Sequence, residues 1–296
     1  MEVKKNRKLK RTGAQRGLYE KFYKTSVIAR LTAREGVRQP VFFVLVGVSA
    51  VLILLAFFLP LFTMGGDERM MIKDMNLATI TLCGLLVAIL SSSNVVAQEI
   101  EKKTAFTVLS KPITRPQFVL GKFFGVALVI LVAVAALGVL FYLRFYFYYR
   151  HFWTHALKPE SAAIYKSYWN KDMVWLFQGL ALSYLQVSIL AAIAVAISTR
   201  LPMAVNASFC LALFVLGHMM QNLISLSEKK GIVASFLIRI TSLIVPNLGN
   251  MNISSSIFLG EEVPWAYIAL AVVYSLLYIA LGLVIAVALF QEREVG

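Results

Sequence analysis

Two histidines four residues apart, His151 and His155, share a helix face and so have the spacing of a metal pair. They stand at the end of an aromatic and basic run from position 144 to 153, the composition of a membrane interface, and no carboxylate or thiol beside them completes a site. The third histidine, His218, falls within two turns of one end of an apolar run and reads as a packed or interfacial side chain. Cys83 and Cys210 lie inside apolar runs, where a packed thiol is expected. Gly121-Lys122 is followed by Phe123 and lacks both the earlier glycine and the Ser or Thr of a phosphate loop. Asn252-Ile-Ser254 is only a formal glycosylation match. No catalytic residue, metal site or cofactor bound by this chain is expected, and any energy it uses must come from another chain.

The elements that would position these residues are set by hydropathy. Of 296 residues 59% are hydrophobic and 15% charged, against about 25% charged in a soluble domain. Six runs, at 41–62, 75–97, 123–143, 173–199, 201–227 and 263–291, contain no Asp, Glu, Lys or Arg and are long enough to cross hydrocarbon. Lipid offers the backbone no hydrogen-bonding partner, and the sequence lacks the alternation of a barrel, so the spans must be helices. The expected fold is all-α, a polytopic six-helix membrane bundle over 41–291, preceded by a basic arm and interfacial helix (1–40) and followed by a short tail (292–296). A cleaved signal peptide is not expected, because the first run is a full span behind a long basic segment.

Secondary transporters, proton pumps and intramembrane hydrolases place titratable groups within their spans, and these runs hold none. Their polar residues, among them Asn76, Ser91, Ser92, Ser93, Asn94, Gln178, Gln186, Asn206, Ser208, Gln221 and Asn222, suit hydrogen bonds between helices and helix ends. Nineteen of the 29 Lys and Arg fall before the first run, between the second and third, at Arg200 and at Arg293, which predicts cytoplasmic N- and C-termini. The basic arm is read as a lipid-facing anchor rather than a nucleic-acid binder. A helix over 18–38 would place Leu18, Tyr19, Phe22, Tyr23, Ala29 and Ala33 on one face, with Arg30 and Arg34 encroaching on it. The run at 232–245, broken by Arg239 and stopped by Pro246, is too short to span and suits a re-entrant or interfacial helix on the outer side.

The loop at 98–122 is charged and ordered in pattern: Glu99 and Lys103 pair at one-turn spacing and Pro112 ends the helix they begin. Residue chemistry alone leaves two readings, a coupling helix across the ends of two spans or a basic connector. The run Glu99-x-Glu101-x-x-Thr104, then Leu109-Ser-Lys-Pro-Ile113, then Arg115-x-x-Phe118-x-x-Gly121-Lys122 resembles the cytoplasmic loop of permease subunits of type 2 ABC transporters, in particular the branch of the nitrous-oxide-reductase copper-maturation permease. Arg30-Leu-Thr-Ala-Arg-Glu-Gly-Val-Arg38 and Val245-Pro-Asn-Leu248 are similar to further segments of that branch.

The resemblance implies a connecting helix carrying Arg30, Arg34, Glu35 and Arg38. It also implies a coupling helix carrying Glu99, Glu101, Lys102, Lys103, Thr104 and Phe106. With these come an exporter in a bacterial cytoplasmic membrane, a dimer with a second permease copy or a related permease, and separate ABC ATPase subunits that bind ATP and Mg. The chain departs from larger relatives in having no fused ATPase and no large outer domain. A non-transporting scaffold or sensor, or a lipid-handling membrane enzyme, is the alternative.

Overall fold

The computed structural model describes residues 20, 22–56, 68–94, 114–154, 159–227, 236, 238, 240–242, 245–253 and 263–291, with the side chains of 68–70, 151–165 and 167 excepted. Among the described residues seven long helices carry the fold: α1 (Phe22–Arg38), α2 (Pro40–Leu55), α3 (Glu68–Ser92), α4 (Arg115–Thr154), α5 (Pro159–Ser198), α6 (Met203–Ser227) and α7 (Trp265–Gln291). There is no strand among the described residues. The protein is a polytopic helical membrane protein. Among the described residues five helices are long and apolar enough to cross a membrane, and six spans result if α1 and α2, bent 63° at their junction, count as one.

That bend has a local cause. Pro40 is the first residue of α2 and excludes helical backbone from the residue before it, so Gln39 is extended with ψ 133°. With 16 residues α2 alone reaches about 24 Å, short of a hydrocarbon core of about 30 Å. The rest of the first apolar run lies outside the described residues.

The third run begins earlier than its hydropathy indicates. Gln117 caps the start of the helix: the Thr114 amide donates to Gln117 Oε1 at 3.0 Å, and the Phe118 amide closes the first turn on the Thr114 carbonyl at 3.1 Å. Helix α4 therefore starts at Arg115 rather than at 123, and Lys122, expected as a loop cation, is buried within it. At 40 residues each, α4 and α5 are about 60 Å long, twice the hydrocarbon thickness.

Helices α3, α4 and α5 form the centre, with Ile80, Leu85, Ile130, Leu137, Leu182 and Ile189 fully buried between them. In lipid, packing rather than water exclusion joins helices, so small residues are placed where backbones meet. Gly282 of α7 lies against Ala192 of α5, and Gly84 of α3 against Val187 of α5. Of the small residues Ala133, Ala136 and Gly138, which suit close helix approach within a subunit or between two, Ala133 and Gly138 are buried within this chain, Gly138 against Leu180, while Ala136 is exposed.

Helix α1 lies on α4 through Gly121-x-x-x-Gly125. A Cβ at Gly121 would meet Ile28 at 2.7 Å, and one at Gly125 would collide with Thr32. The packed face of α1 is thus Ile28, Ala29, Thr32 and Gly36, whereas Phe22 and Tyr23 of the expected apolar face are exposed, and Leu18 and Tyr19 lie outside the described residues. The difference arises because the glycine groove selects small side chains and leaves the aromatic ones outward. Ahead of α1, the hydrogen bond and charge of Lys24, 2.8 Å away, hold the Glu20 carboxyl below its ordinary value. Of the 232–245 segment only positions 236, 238, 240–242 and 245 are described; 236, 238 and 240–242 are helical.

Candidate coupling end and cavity

The two ends of the bundle differ in chemistry. At the end that carries the basic arm, α3 finishes in a π turn at Ser93 and Asn94 and leads into 95–113. Glu99, Glu101, Lys102, Lys103, Thr104 and Phe106 lie there, outside the described residues. What is described is how both ends of that loop are held. Asn94 Nδ2 donates to Gln39 Oε1 at 3.0 Å, tying the end of α3 to the α1–α2 junction. Asn206, at the start of α6 and fully buried, donates from Nδ2 to Ser93 Oγ at 2.9 Å, while its Oδ1 accepts from the Cys210 thiol at 3.4 Å.

On the far side of the loop, Arg115 donates to the Gln291 carbonyl at 2.7 Å, and Arg200 donates from Nε to the Leu289 carbonyl at 3.1 Å. Two guanidinium groups therefore satisfy the last carbonyls of α7, where the helix dipole favours positive charge. Phe118 stacks on Phe290 at 5.6 Å, and the Lys122 ammonium stands 5.4 Å from the Phe118 ring. Arg30, Arg34, Glu35 and Arg38 are all exposed on α1, away from the face packed on α4. Asn94 and Asn206 make the interhelical hydrogen bonds expected of polar residues in the spans. Gln39 was not singled out by sequence reasoning; a Gln before a helix-opening proline is the signal that marks it.

At the opposite, aromatic end, the expectation that the bundle holds no charge needs correction. Lys73 of α3 and Asp172 of α5 form a buried ion pair, and the second carboxylate oxygen of Asp172 accepts from the fully buried Tyr149 hydroxyl of α4. The Lys73 ammonium also stands 5.2 Å from the Trp175 ring. Run-based boundaries begin just past both charges, at 75 and 173, but each charge continues its helix by one turn or less and faces inward. Counted along α3 from Ser92, Lys73 is about 28 Å away, the depth of the far headgroup boundary. Three central helices are thereby bolted together at that level. Nearby, Arg144 donates to the Ala56 carbonyl and so caps α2, while the His151 and His155 side chains lie outside those described.

Below this node, α3, α5, α6 and the turn Gly249–Met251 enclose a cavity of about 290 Å³. It is lined on its polar side by Asp74, Thr81, Ser183, Gln186, His218 and Asn252. The Thr81 and Ser183 hydroxyls are 3.0 Å apart. His218 Nδ1 is 2.9 Å from the Phe214 carbonyl, which can only accept, so that nitrogen carries the proton. Nε2 of the same ring is 2.9 Å from the Gln186 amide nitrogen, so His218 links α6 to α5 across the cavity. The residues after Val245 close the cavity: the Leu248 amide donates to the Gly217 carbonyl at 3.1 Å, and Leu248 is buried against α6.

Of the other polar span residues, Gln178 donates to the Val263 carbonyl at 3.2 Å, and Ser188, Ser198, Ser208 and Ser275 bond carbonyls of their own helices. Asn76 is fully buried one turn from Lys73 and has no hydrogen bond among the described residues. Cys83 and Cys210 are both free and buried. No group of three or more metal-binding side chains occurs among the described residues.

The fold and site define a helical integral membrane protein with a polar cavity between its helices. Residues 26–295 match the family described as ABC-2 family transporter protein, and the chain belongs to that family. It is accordingly a permease subunit of an ABC transporter, not catalytic by itself, of a kind that associates with ABC ATPase subunits. No curated protein matches the chain.

Proposed function

We propose that this chain is the permease of an exporter that works as a dimer, with a second copy or a related permease, in a bacterial cytoplasmic membrane. Separate ATPase subunits, binding ATP and Mg, dock on the basic end, which is the cytoplasmic one. The nitrous-oxide-reductase copper-maturation branch is the expected subfamily. The observation that carries this reading is the anchoring of the loop 95–113 at both ends. Before it, Asn94 holds the α1–α2 junction and Ser93 holds α6; after it, Arg115 holds the end of α7. A force applied to the loop by a docked subunit reaches four helices through direct hydrogen bonds. The exposed charges of α1 offer such a subunit a second contact beside the first. Faces of α6 and α7 that this chain leaves uncovered, including Val215, Met219, Leu277 and Val284, are available to lipid or a second permease.

The experiment replaces both Glu99 and Glu101 by Gln in the purified permease–ATPase complex. The local helix-dipole effect of each carboxylate is worth only about 0.3–1 kcal/mol, so the variant should insert and fold normally. It should bind the ATPase more weakly or hydrolyse ATP without transport. Glu160→Gln serves as the comparison from the opposite end. Asp172, at the same end, is unsuitable because it is buried in an ion pair. Purification of the permease from its native membrane with no ATPase in stoichiometric amount would overturn the proposal.

A further inference from the structure

Helix α6 is fastened at its inner end by polar contacts rather than by apolar packing. Of residues 203–212 only Asn206 and Cys210 are buried, while Met203, Val205, Phe209 and Leu211 face outward. Between helices in lipid it is packing that gives adhesion, so an end with this little buried surface is held mainly by its hydrogen bonds. Ahead of it the chain is the short turn 199–202, and the Asn206 amide donates to the Pro202 carbonyl at 3.1 Å. A connection of this kind is where a hinge absorbs rotation.

The fastening is specific in its chemistry. Ser92 Oγ donates to the Ile89 carbonyl at 2.9 Å, so toward Asn206 it only accepts. Asn206 therefore turns Nδ2 to the serines, 2.9 Å from Ser93 Oγ and 3.4 Å from Ser92 Oγ, and Oδ1 to the Cys210 thiol. The stronger contact falls on Ser93, in the π turn that ends α3. A π turn is an uncommon geometry that recurs at functional sites. Here Asn206 supports it from α6, and Gln39, bonded to Asn94, supports it from the α1–α2 junction.

What lies behind the bond gives it a use. Asn206, Cys210, Phe214 and His218 recur every four residues and form one ridge along α6. Phe214 and His218 line the cavity, and Cys210 is the step between the cavity and the bond. Cavity and bond both lie between α3 and α6, so parting these helices at Ser93 opens the cavity toward the basic end. One neutral hydrogen bond is worth about a tenfold change in an equilibrium, weak enough to be made and broken repeatedly.

We propose that the Asn206–Ser93 bond is the inner latch of the cavity, closed in this structure and opened when a docked subunit moves the loop at 95–113, which brings Cys210 out of burial. The driver rests on the docking reading; the closure of the path does not. The test uses full-length protein carrying Cys83→Ser, so that Cys210 is the only thiol, and follows its modification by a cationic methanethiosulfonate in dodecyl maltoside. With the latch intact Cys210, fully buried, should react very slowly.

Ser93→Ala should raise the rate about tenfold, the factor for one hydrogen bond, in protein that still elutes as a single species. Ser92→Ala, equally buried but 3.4 Å from Asn206, should leave the rate within about twofold. In the permease–ATPase complex with both serines present, trapping with ATP and vanadate should raise the rate at least about tenfold. Unchanged reactivity in Ser93→Ala, or equal rises in Ser92→Ala and Ser93→Ala, would overturn the latch. A complex that hydrolyses ATP while Cys210 stays unreactive when trapped would also overturn it and leave the docking reading standing. A permease that recruits no ATPase but whose Ser93→Ala variant exposes Cys210 would uphold the closure and remove the driver.

Discussion

Breaking the Lys73–Asp172 pair from one side and then from both separates a structural bolt from a solvated surface contact. Both side chains are only 9% exposed, so Asp172→Asn leaves an ammonium among Trp175, Tyr149 and the α3–α5 interface without a counter-charge. Loss of one member of a buried pair costs about 3–5 kcal/mol, whereas replacing both by apolar side chains of similar volume is close to neutral. Lys73→Met and Asp172→Asn should each destabilise by that amount, and Lys73→Met/Asp172→Leu should recover most of it. For a chain of this size about 2–4 °C accompanies each kcal/mol, so each single variant should lower the unfolding midpoint by about 6–20 °C. Tyr149→Phe removes one hydrogen bond to a charged acceptor and should cost less, about 1.5–3 kcal/mol. Intrinsic fluorescence in mild detergent is a suitable assay, because the Trp169 ring is 5.4 Å from Tyr149 and the Trp175 ring 5.2 Å from the Lys73 ammonium. Single variants that shift the midpoint by less than about 2 °C, or a double variant no better than either single, would refute a desolvated pair at this position.

Gly125→Leu should detach α1 from α4, since any side chain there meets Thr32; overpacking of this kind costs about 1–3 kcal/mol. Reaction of a cysteine placed at Thr32, which is 1% exposed in this contact, with a thiol reagent reports the detachment. Gly47→Leu, with nothing within 4 Å of the new Cβ, should leave both the labelling and stability unchanged. Single cysteines at Lys111 and Ser167, which α4 separates, should label from opposite sides of the membrane against a background of two buried native thiols. Labelling of both from one side would remove the orientation on which the docking end is assigned.

The apolar runs were sufficient to establish a helical membrane bundle, because an unpaired backbone group in lipid costs more than any tertiary contact can return. The ABC-2 family was likewise legible in the motifs of the loop and of the segment before the first run. Charge counting could also distinguish the two ends, since positive side chains cluster in the segments flanking one of them. These properties are local: each depends on composition or spacing within one stretch of chain.

What tertiary structure decided concerns residues far apart in sequence. Lys73 and Asp172 are 99 positions apart and each looks like a loop charge just outside a span; only the parallel packing of α3 and α5 shows that they face each other. Gly121 fails as a phosphate loop, and the physical reason for a glycine there appears only when α1 is laid across it. Asn206 and Gln39 are single polar residues whose partners, Ser93 and Asn94, come from a different helix. The cavity assembles Asp74, Gln186, His218 and Asn252 from four separate segments. Hydropathy determines that a helix enters the membrane, but the rotation of one helix against the next is set by side-chain packing, and that rotation decides which polar groups meet.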